Sequence, residues 1–281
     1  MLLLGDYAVV EGGRALVAAV DRRAEGVAEV GPDSAVVDAV FARARAEGPV
    51  AAPGARIDTS GFHLPGGDKL GIGSSAAAAV VAAALATERG DELCLSVALE
   101  GHRDAAGGVG SGIDVATSFY GGVVALGYQP GPVEPLPSRL RGLHLSVFYA
   151  GQSARTSELV TAAKACPRWK DWVAVMSPLA EEGIDAWRAG RASAFVSVVA
   201  RYGRAMKKLG EDAGVGIVTE TIDQLMAGAE ALGGAAKPSG AGGGDIVIAV
   251  SEDPSLGPKL AERTGAVLVD LSIDRTGLKR S

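Results

Sequence analysis

The residues best equipped for chemistry fall in glycine-rich stretches. In the first, Lys69-Leu70-Gly71-Ile72-Gly73-Ser74-Ser75 runs directly into the apolar segment from Ala76 to Ala86. Glycines at 71 and 73 let the backbone turn with its amides outward, Ser74 and Ser75 are favourable helix N-caps, and an alanine-rich run is a strong helix former. The amino end of such a helix offers unpaired N–H groups and the positive end of the dipole to a di- or triphosphate, and a serine hydroxyl there can face Mg²⁺. Gly71, Ile72, Gly73, Ser74, Ser75 and Ala76 are therefore the candidate phosphate cradle, with Ser74 and Ser75 as candidate Mg²⁺ ligands. Taken alone, the same loop reads equally well as a glycine turn into a buried helix.

The second stretch is Gly107-Gly108-Val109-Gly110-Ser111-Gly112-Ile113-Asp114. Its glycines let a backbone pass close to a ligand, and it ends on an acid that opens a short helix through Tyr120. Asp114 is either an N-cap or a group at a reacting hydroxyl or phosphate. The third, Lys237-Pro238-Ser239-Gly240-Ala241-Gly242-Gly243-Gly244-Asp245, precedes an apolar strand. Gln152-Ser153-Ala154-Arg155-Thr156 clusters polar side chains and a guanidinium where a strand hands over to a helix, which suits an anionic group and equally suits an ordinary helix start.

Composition narrows the partners. In 281 residues, 27 basic and 33 acidic side chains give a net charge of −6, and no basic run is dense enough to track a nucleic-acid backbone. Cys94 and Cys166 have no second cysteine or histidine at a metal-binding spacing, which fits a reduced, cytoplasmic setting. The most apolar windows fall short of the ~20 residues a bilayer-spanning helix needs, and no signal peptide is visible.

These stretches need elements to hold them. Met1–Leu4 reads as a buried strand, Gly12-Gly13 as a hairpin turn into Ala15–Val20, and Arg23–Val30 as a further strand. Val36, Val37, Val40, Phe41 and Ala44 recur at helical spacing. Asp91 is placed as the N-cap of a helix running to about Asp104, in whose last turn His102 and Arg103 suit the dipole. Val123–Leu126 and Leu143–Ala150 are strands, and the proline-spaced run Gln129–Pro137 between them is a linker or surface loop. From Arg168 to about Leu232 the chain reads as helices broken near Pro178, Gly190 and Gly210–Gly216, with Trp169, Trp172, Trp187 and Phe195 as packing residues. A strand at Ile246–Val250, a helix from Pro254 to Thr264 and a strand at Ala266–Leu271 close the chain. The order predicts an α+β protein of two units, residues 1–140 and 141–281.

The segments KLGIGSSAA, GVGSGIDVATSFYGG and KPSGAGGGD, in that order, resemble the signature regions of the GHMP kinases, the family of galactokinase, homoserine kinase, mevalonate kinase and phosphomevalonate kinase. The opening LLLGDYAVVEGGRALVAAVDRR resembles that family's first motif. The resemblance implies an N-terminal domain like the second domain of ribosomal protein S5, a ferredoxin-like C-terminal domain, and ATP with its phosphates on the Gly71–Ser75 loop. Within the family it points to the phosphomevalonate kinases, on the lysine ahead of GIGSS, on GQSARTSELV and on KPSGAGGGD. That implies Mg²⁺-assisted transfer of the ATP γ-phosphoryl group to a small phosphorylated acceptor, 5-phosphomevalonate, and it leaves a homodimer open. Asp114 matches the family's active-site aspartate. Lys69, Arg155 and Lys237 become candidates for neutralising phosphate charge, and Ser111, Gly112, Ser239, Gly240, Ala241 and Gly242 for lining the substrate.

Two positions depart from the pattern. Family members usually carry a lysine just ahead of the LLL strand, where this chain has Met1, so either the natural start lies upstream or that cation is absent. Aligned on Asp114, mevalonate kinases would have a metal-binding glutamate where this chain has Arg103, which disfavours that metal site.

Overall fold

The computed structural model describes residues 1–87, 90–151 and 156–280. Its first half runs through strands β1 (Leu2–Leu4), β2 (Ala15–Ala18) and β3 (Glu25–Val27), helix α1 (Ala35–Glu47), strand β4 (Arg56–Asp58), helices α2 (Ser74–Ala86), α3 (Asp91–Ala105) and α4 (Ile113–Tyr120), and strands β5 (Val123–Leu126) and β6 (Val133–Leu136). The second half begins with strand β7 (His144–Tyr149) and helices α5 (Thr156–Ala165), α6 (Trp169–Arg188), α7 (Ala192–Ala213) and α8 (Glu220–Ala231). It ends with strands β8 (Ala235–Pro238) and β9 (Ile246–Ser251), helix α9 (Leu256–Thr264) and strand β10 (Val267–Val269). No described helix is long and apolar enough to cross a membrane.

The first large sheet is antiparallel throughout, in the order β1-β2-β5-β6. Alternation along its strands explains why both faces are buried. Ala15 and Val17 of β2 and Val124 and Leu126 of β5 pack with Ile113 and Ala116 of α4. Leu16, Ala18, Val123 and Ala125 face the opposite way, onto Met176, Ala180 and Ile184 of α6. Because α6 belongs to the second half, that half supplies one wall of the first half's core. Contact is close: a Cβ built on Gly183 of α6 would lie 2.0 Å from Leu4 Cδ1.

The second sheet has the order β10-β7-β9-β8, again antiparallel. Phe148, Ala236, Val247 and Ala249 pack on Ile222 and Leu225 of α8 and Leu256 and Leu260 of α9. On the other face, Val147 and Ile246 meet Phe62, Leu70 and Ile72. The sheet of the second half thus supports, from beneath, the turn that enters α2.

Three sequence expectations are corrected. Pro135 and Pro137 suggest a linker, yet Val133–Leu136 pairs with β5 as the edge strand β6, a place where a missing N–H is tolerated. Glu134 anchors it: Arg188 and Arg14 bond its carboxylate and hold it down at about 2. Pro178 does not break a helix but lies inside α6, whose buried face of Met176, Leu179, Ala180, Ile184 and Trp187 holds the helix continuous across the lost hydrogen bond. Asp91 is the first residue of α3 rather than its cap, which is Gly90.

Candidate active site

Gly73, in the left-handed region at φ 93°, occupies the N-cap of α2, so the helix begins at Ser74. The capping expectation for Ser74 and Ser75 therefore fails. A glycine reaches this conformation without steric cost and sets the turn one residue earlier. Ser75 Oγ instead lies 3.0 Å from His102 Nε2 of α3, and neither serine caps the helix. With no side-chain cap, the amides of Ser74, Ser75 and Ala76 point out of the helix end with no intrahelical acceptor, which is an anion site by geometry.

Helix α4 repeats the arrangement. Gly112, at φ 73°, is its N-cap, which makes Asp114 the second helical residue instead of the opener. A Cβ on Gly112 would lie 2.7 Å from Leu99 Cδ2, so α4 starts close against the Leu99 side chain of α3, while the positive φ is what calls for glycine. Ser111 accepts a hydrogen bond at its carbonyl from Gln129 N at 2.8 Å. The Asp114 carboxylate, partly exposed, accepts from Val115 N at 2.9 Å and sits at the positive end of α4.

One cavity of about 780 Å³ reaches from the turn ahead of α2 to the first turn of α4. Ile72, Gly73 and Asp114 line it together with Met1, Thr117 and Ser118, and its long wall is the α2 face formed by Ala77, Val80, Val81, Ala84 and Leu85. The third glycine-rich stretch lies against the first. A Cβ on Gly71, itself at φ 67°, would fall 2.5 Å from Asp245 Cγ. Gly242 approaches the Ile217 carbonyl so closely that a Cβ would lie 2.2 Å from its oxygen. Ser239 Oγ donates to Leu2 O at 2.9 Å, Gly240 N to Asp6 Oδ1 at 2.7 Å, and Tyr7 Oη to Ala241 O. The loops at 71–75 and 239–245 are thus set around β1, whose leading residue Met1 reaches the cavity beside Asp114.

Residues 196–269 match the family model described as GHMP kinases C terminal. The chain is 31% identical over 221 aligned positions to a phosphomevalonate kinase of Streptomyces sp. (strain CL190), taking in 66% of this chain and 58% of that protein. It therefore spans less than two thirds of that relative's length. Among solved structures, the Lin0012 protein from Listeria innocua superposes with a TM-score of 0.81 at 24% identity, over 97% of this chain and 96% of the other. The phosphomevalonate kinase of Streptococcus pneumoniae, solved in complex with phosphomevalonate and AMPPNP, does so with a TM-score of 0.77 at 19% identity, over 97% of each chain. The chain has the GHMP kinase fold.

Set on this GHMP frame, the remaining sequence candidates divide. Lys69 is exposed ahead of Gly71, at the end of a loop closed by the bridge between His63 and Lys69. Arg155 lies outside the described residues. Lys237 is not at a surface at all. Its Nζ is fully buried, 2.7 Å from Asp6 Oδ2, donates also to Pro238 O, and lies 5.7 Å from the centroid of the Tyr202 ring. The expectation that Lys237 neutralises a ligand's phosphate is corrected on that geometry: its charge is matched inside the protein, and its part is to hold the third loop. Burial pushes the ammonium below the ordinary lysine value, and the Asp6 carboxylate opposes that shift. Arg103, at the position of the mevalonate kinase glutamate, donates to Gln129 O at 2.7 Å and lies 5.4 Å from the Tyr128 ring centroid, a packing role.

The cavity also holds cations that sequence reasoning did not single out as site residues: Arg22, Arg23, Arg56, Lys279 and Arg280. Arg22 and Arg23 close the first motif, where their doubling was a usable signal. Arg56 and the pair at 279–280 lie outside every glycine-rich stretch and are brought in only by the tertiary fold.

Proposed function

We propose that the protein is an ATP-dependent phosphotransferase that moves the γ-phosphoryl group onto the phosphate of 5-phosphomevalonate, giving the diphosphate. The observation that carries the reading is a single cavity lined both by Ile72 and Gly73, which lead into the uncapped amino end of α2, and by Asp114. The curated relative's name and the ligands of the Streptococcus pneumoniae structure support the acceptor. Phosphoryl transfer demands positioning and charge neutralisation more than covalent participation, and helix-end amides with nearby guanidinium groups provide that. A phosphate monoester with a second pKa near ~6 is largely a dianion at pH 7, so the nucleophile arrives deprotonated and Asp114 orients it.

Mg²⁺ fits this donor set. No described group of three or more His, Cys, Asp or Glu residues could cage a metal, and Mg²⁺ characteristically takes one or two protein oxygens along with substrate phosphates. The Ser74 hydroxyl at the start of α2 and the carboxylate of Asp114, a residue of the cavity lining, are the oxygens this reading gives to Mg²⁺, while Ser75 is already bonded to His102. Bound Mg²⁺ would offset the charge of the β- and γ-phosphates. In this reading the nucleotide belongs mainly to residues 1–140, and residues 141–281 brace its phosphate loop.

A coupled ADP-release assay against phosphomevalonate, mevalonate and homoserine tests the assignment. Turnover is expected with phosphomevalonate. Release with mevalonate alone would move the acceptor, and release with none of the three would remove the kinase reading. The cradle has its own test. Gly71→Ala places a methyl group in the left-handed region and against the Asp245 carboxyl, at a cost of about 1–2 kcal/mol from the backbone alone. Nucleotide affinity measured by calorimetry should fall about tenfold or more, while the acceptor's dissociation constant stays within about twofold.

A further inference from the structure

Beyond β10 the chain does not hang free but turns back along the first half. Asp21 N donates to Ser272 O at 3.0 Å, Asp274 N to Ala19 O at 3.0 Å, Gly122 N to Asp274 O at 2.8 Å and Leu278 N to Phe119 O at 3.0 Å, with Val20 and Ile273 paired as a bridge. The docking is tight. A Cβ on Gly277 would lie 2.0 Å from Phe119 O, and one on Gly121 would lie 2.3 Å from Gly277 N, so two glycines are needed for the backbones to meet. Arg23 clamps the segment by donating to Thr276 O at 2.9 Å, to Gly277 O at 3.2 Å and to the Asp274 carboxylate.

This docked segment is one wall of the cavity that holds Gly73 and Asp114: Thr276, Gly277, Leu278, Lys279 and Arg280 all line it. The wall's charges are not equivalent. Arg22 donates to Asp270 O at 2.6 Å, Arg56 is ion-paired with Glu29, and Arg280 lies 3.7 Å from Asp91. Lys279 makes no hydrogen bond or ion pair with any described residue. A cation on a tightly anchored backbone, at a cavity and with its charge unmatched by the protein, is placed to meet an anion of the ligand.

We propose that residues 272–280 form a strap that completes the ligand cavity, and that Lys279 on it contacts a phosphate group of the bound ligand. The inference rests on the kinase reading for the identity of that ligand. Its chemistry is a phosphate oxyanion, whether carried by the nucleotide or by the phosphorylated acceptor.

Two variants and two ligands separate the outcomes. Calorimetry with ADP alone and with phosphomevalonate alone should show Lys279→Gln weakening one ligand about ten- to a hundredfold and the other less than twofold, with Lys279→Arg restoring most of the loss. Loss on ADP assigns the contact to the nucleotide, and loss on phosphomevalonate assigns it to the acceptor. Binding unchanged for both, or weakened equally for both, overturns the role of Lys279. Gly277→Val should undock the strap and speed trypsin cleavage after Arg275 at least tenfold, and in the wild type a saturating ligand should slow that cleavage. A cleavage rate indifferent to the substitution or to ligand overturns the strap. If wild-type protein binds neither ligand, the kinase reading fails, and the trypsin rates with and without Gly277→Val still judge the docking.

Discussion

A Lys237→Met variant should lose about 4 kcal/mol of stability at pH 7 and regain most of it as the pH falls towards 4. The substitution leaves the Asp6 carboxylate buried with Gly240 N as its remaining donor. Rather than stay charged, that carboxyl must take up a proton on folding. This costs about 1.36 kcal/mol for each pH unit between the working pH and the ordinary carboxylate value of about 3.9. The sign follows from linkage: a group whose folded value is raised binds more protons folded than unfolded, so the variant loses stability with rising pH across the window from about 4 to 7.

The reciprocal variant has the opposite slope. Asp6→Leu strands the Lys237 ammonium, which must shed its proton at about 1.36 kcal/mol per unit below about 10.4, so the deficit deepens as the pH falls. Urea-unfolding free energies at pH 5, 6, 7 and 8, each taken relative to wild type, decide between this account and simple loss of packing. A gap that does not change with pH in either variant would sink it. A deficit of this size is a large share of the roughly 5–15 kcal/mol that holds a domain together. Asp6→Leu also removes the acceptor of Gly240 N and so loosens the 239–245 loop, and nucleotide affinity should fall in the fraction of that variant that remains folded.

The Asp6–Lys237 pair marks the limit of what the sequence makes legible. The glycine stretches could be found because each rests on a local rule: Gly73 and Gly112 adopt positive φ at helix starts, and alanine or apolar runs follow them. The strands β1, β2 and β5 could be found because short apolar runs bounded by glycine signal strands, even though their burial on both faces depends on α6, more than 150 residues away from β1. Lys237 escapes a local reading for a physical reason. Lysine is almost never fully buried unless it is paired, and its partner lies 231 residues earlier in the chain, invisible to any local pattern. The same holds for β6, whose prolines obey the rule for loops until an edge and two arginines make them compatible with a strand. Nothing local in the sequence marks the strap, because Gly277 and Lys279 acquire meaning only beside Phe119 and the cavity.

An Asp114→Asn variant should retain its fold and lose about 10²- to 10³-fold in kcat, with the nucleotide KM nearly unchanged. Asparagine keeps an oxygen for the Val115 N–H, so the helix loses only the favourable placing of a negative charge in its first turn, about 0.3–1 kcal/mol. The Tm should therefore move by no more than a few degrees. What disappears is the fixed charge at the cavity wall. How the pH profile responds then tells which job that charge performs. If Asp114 orients a phosphate acceptor, the acid limb of kcat/KM follows the acceptor's own second ionisation near ~6 and survives in the variant, because the proton that matters sits on the substrate. If Asp114 abstracts a proton from an alcohol, removing it removes the ionisation, and the acid limb flattens. The first outcome is expected, since five lysine or arginine side chains line the cavity against Glu25, Asp58 and Asp114, and an acceptor that brings two negative charges answers that balance better than a neutral hydroxyl. Unchanged turnover in the variant would remove Asp114 from the reaction altogether and leave the helix-end amides to carry it alone.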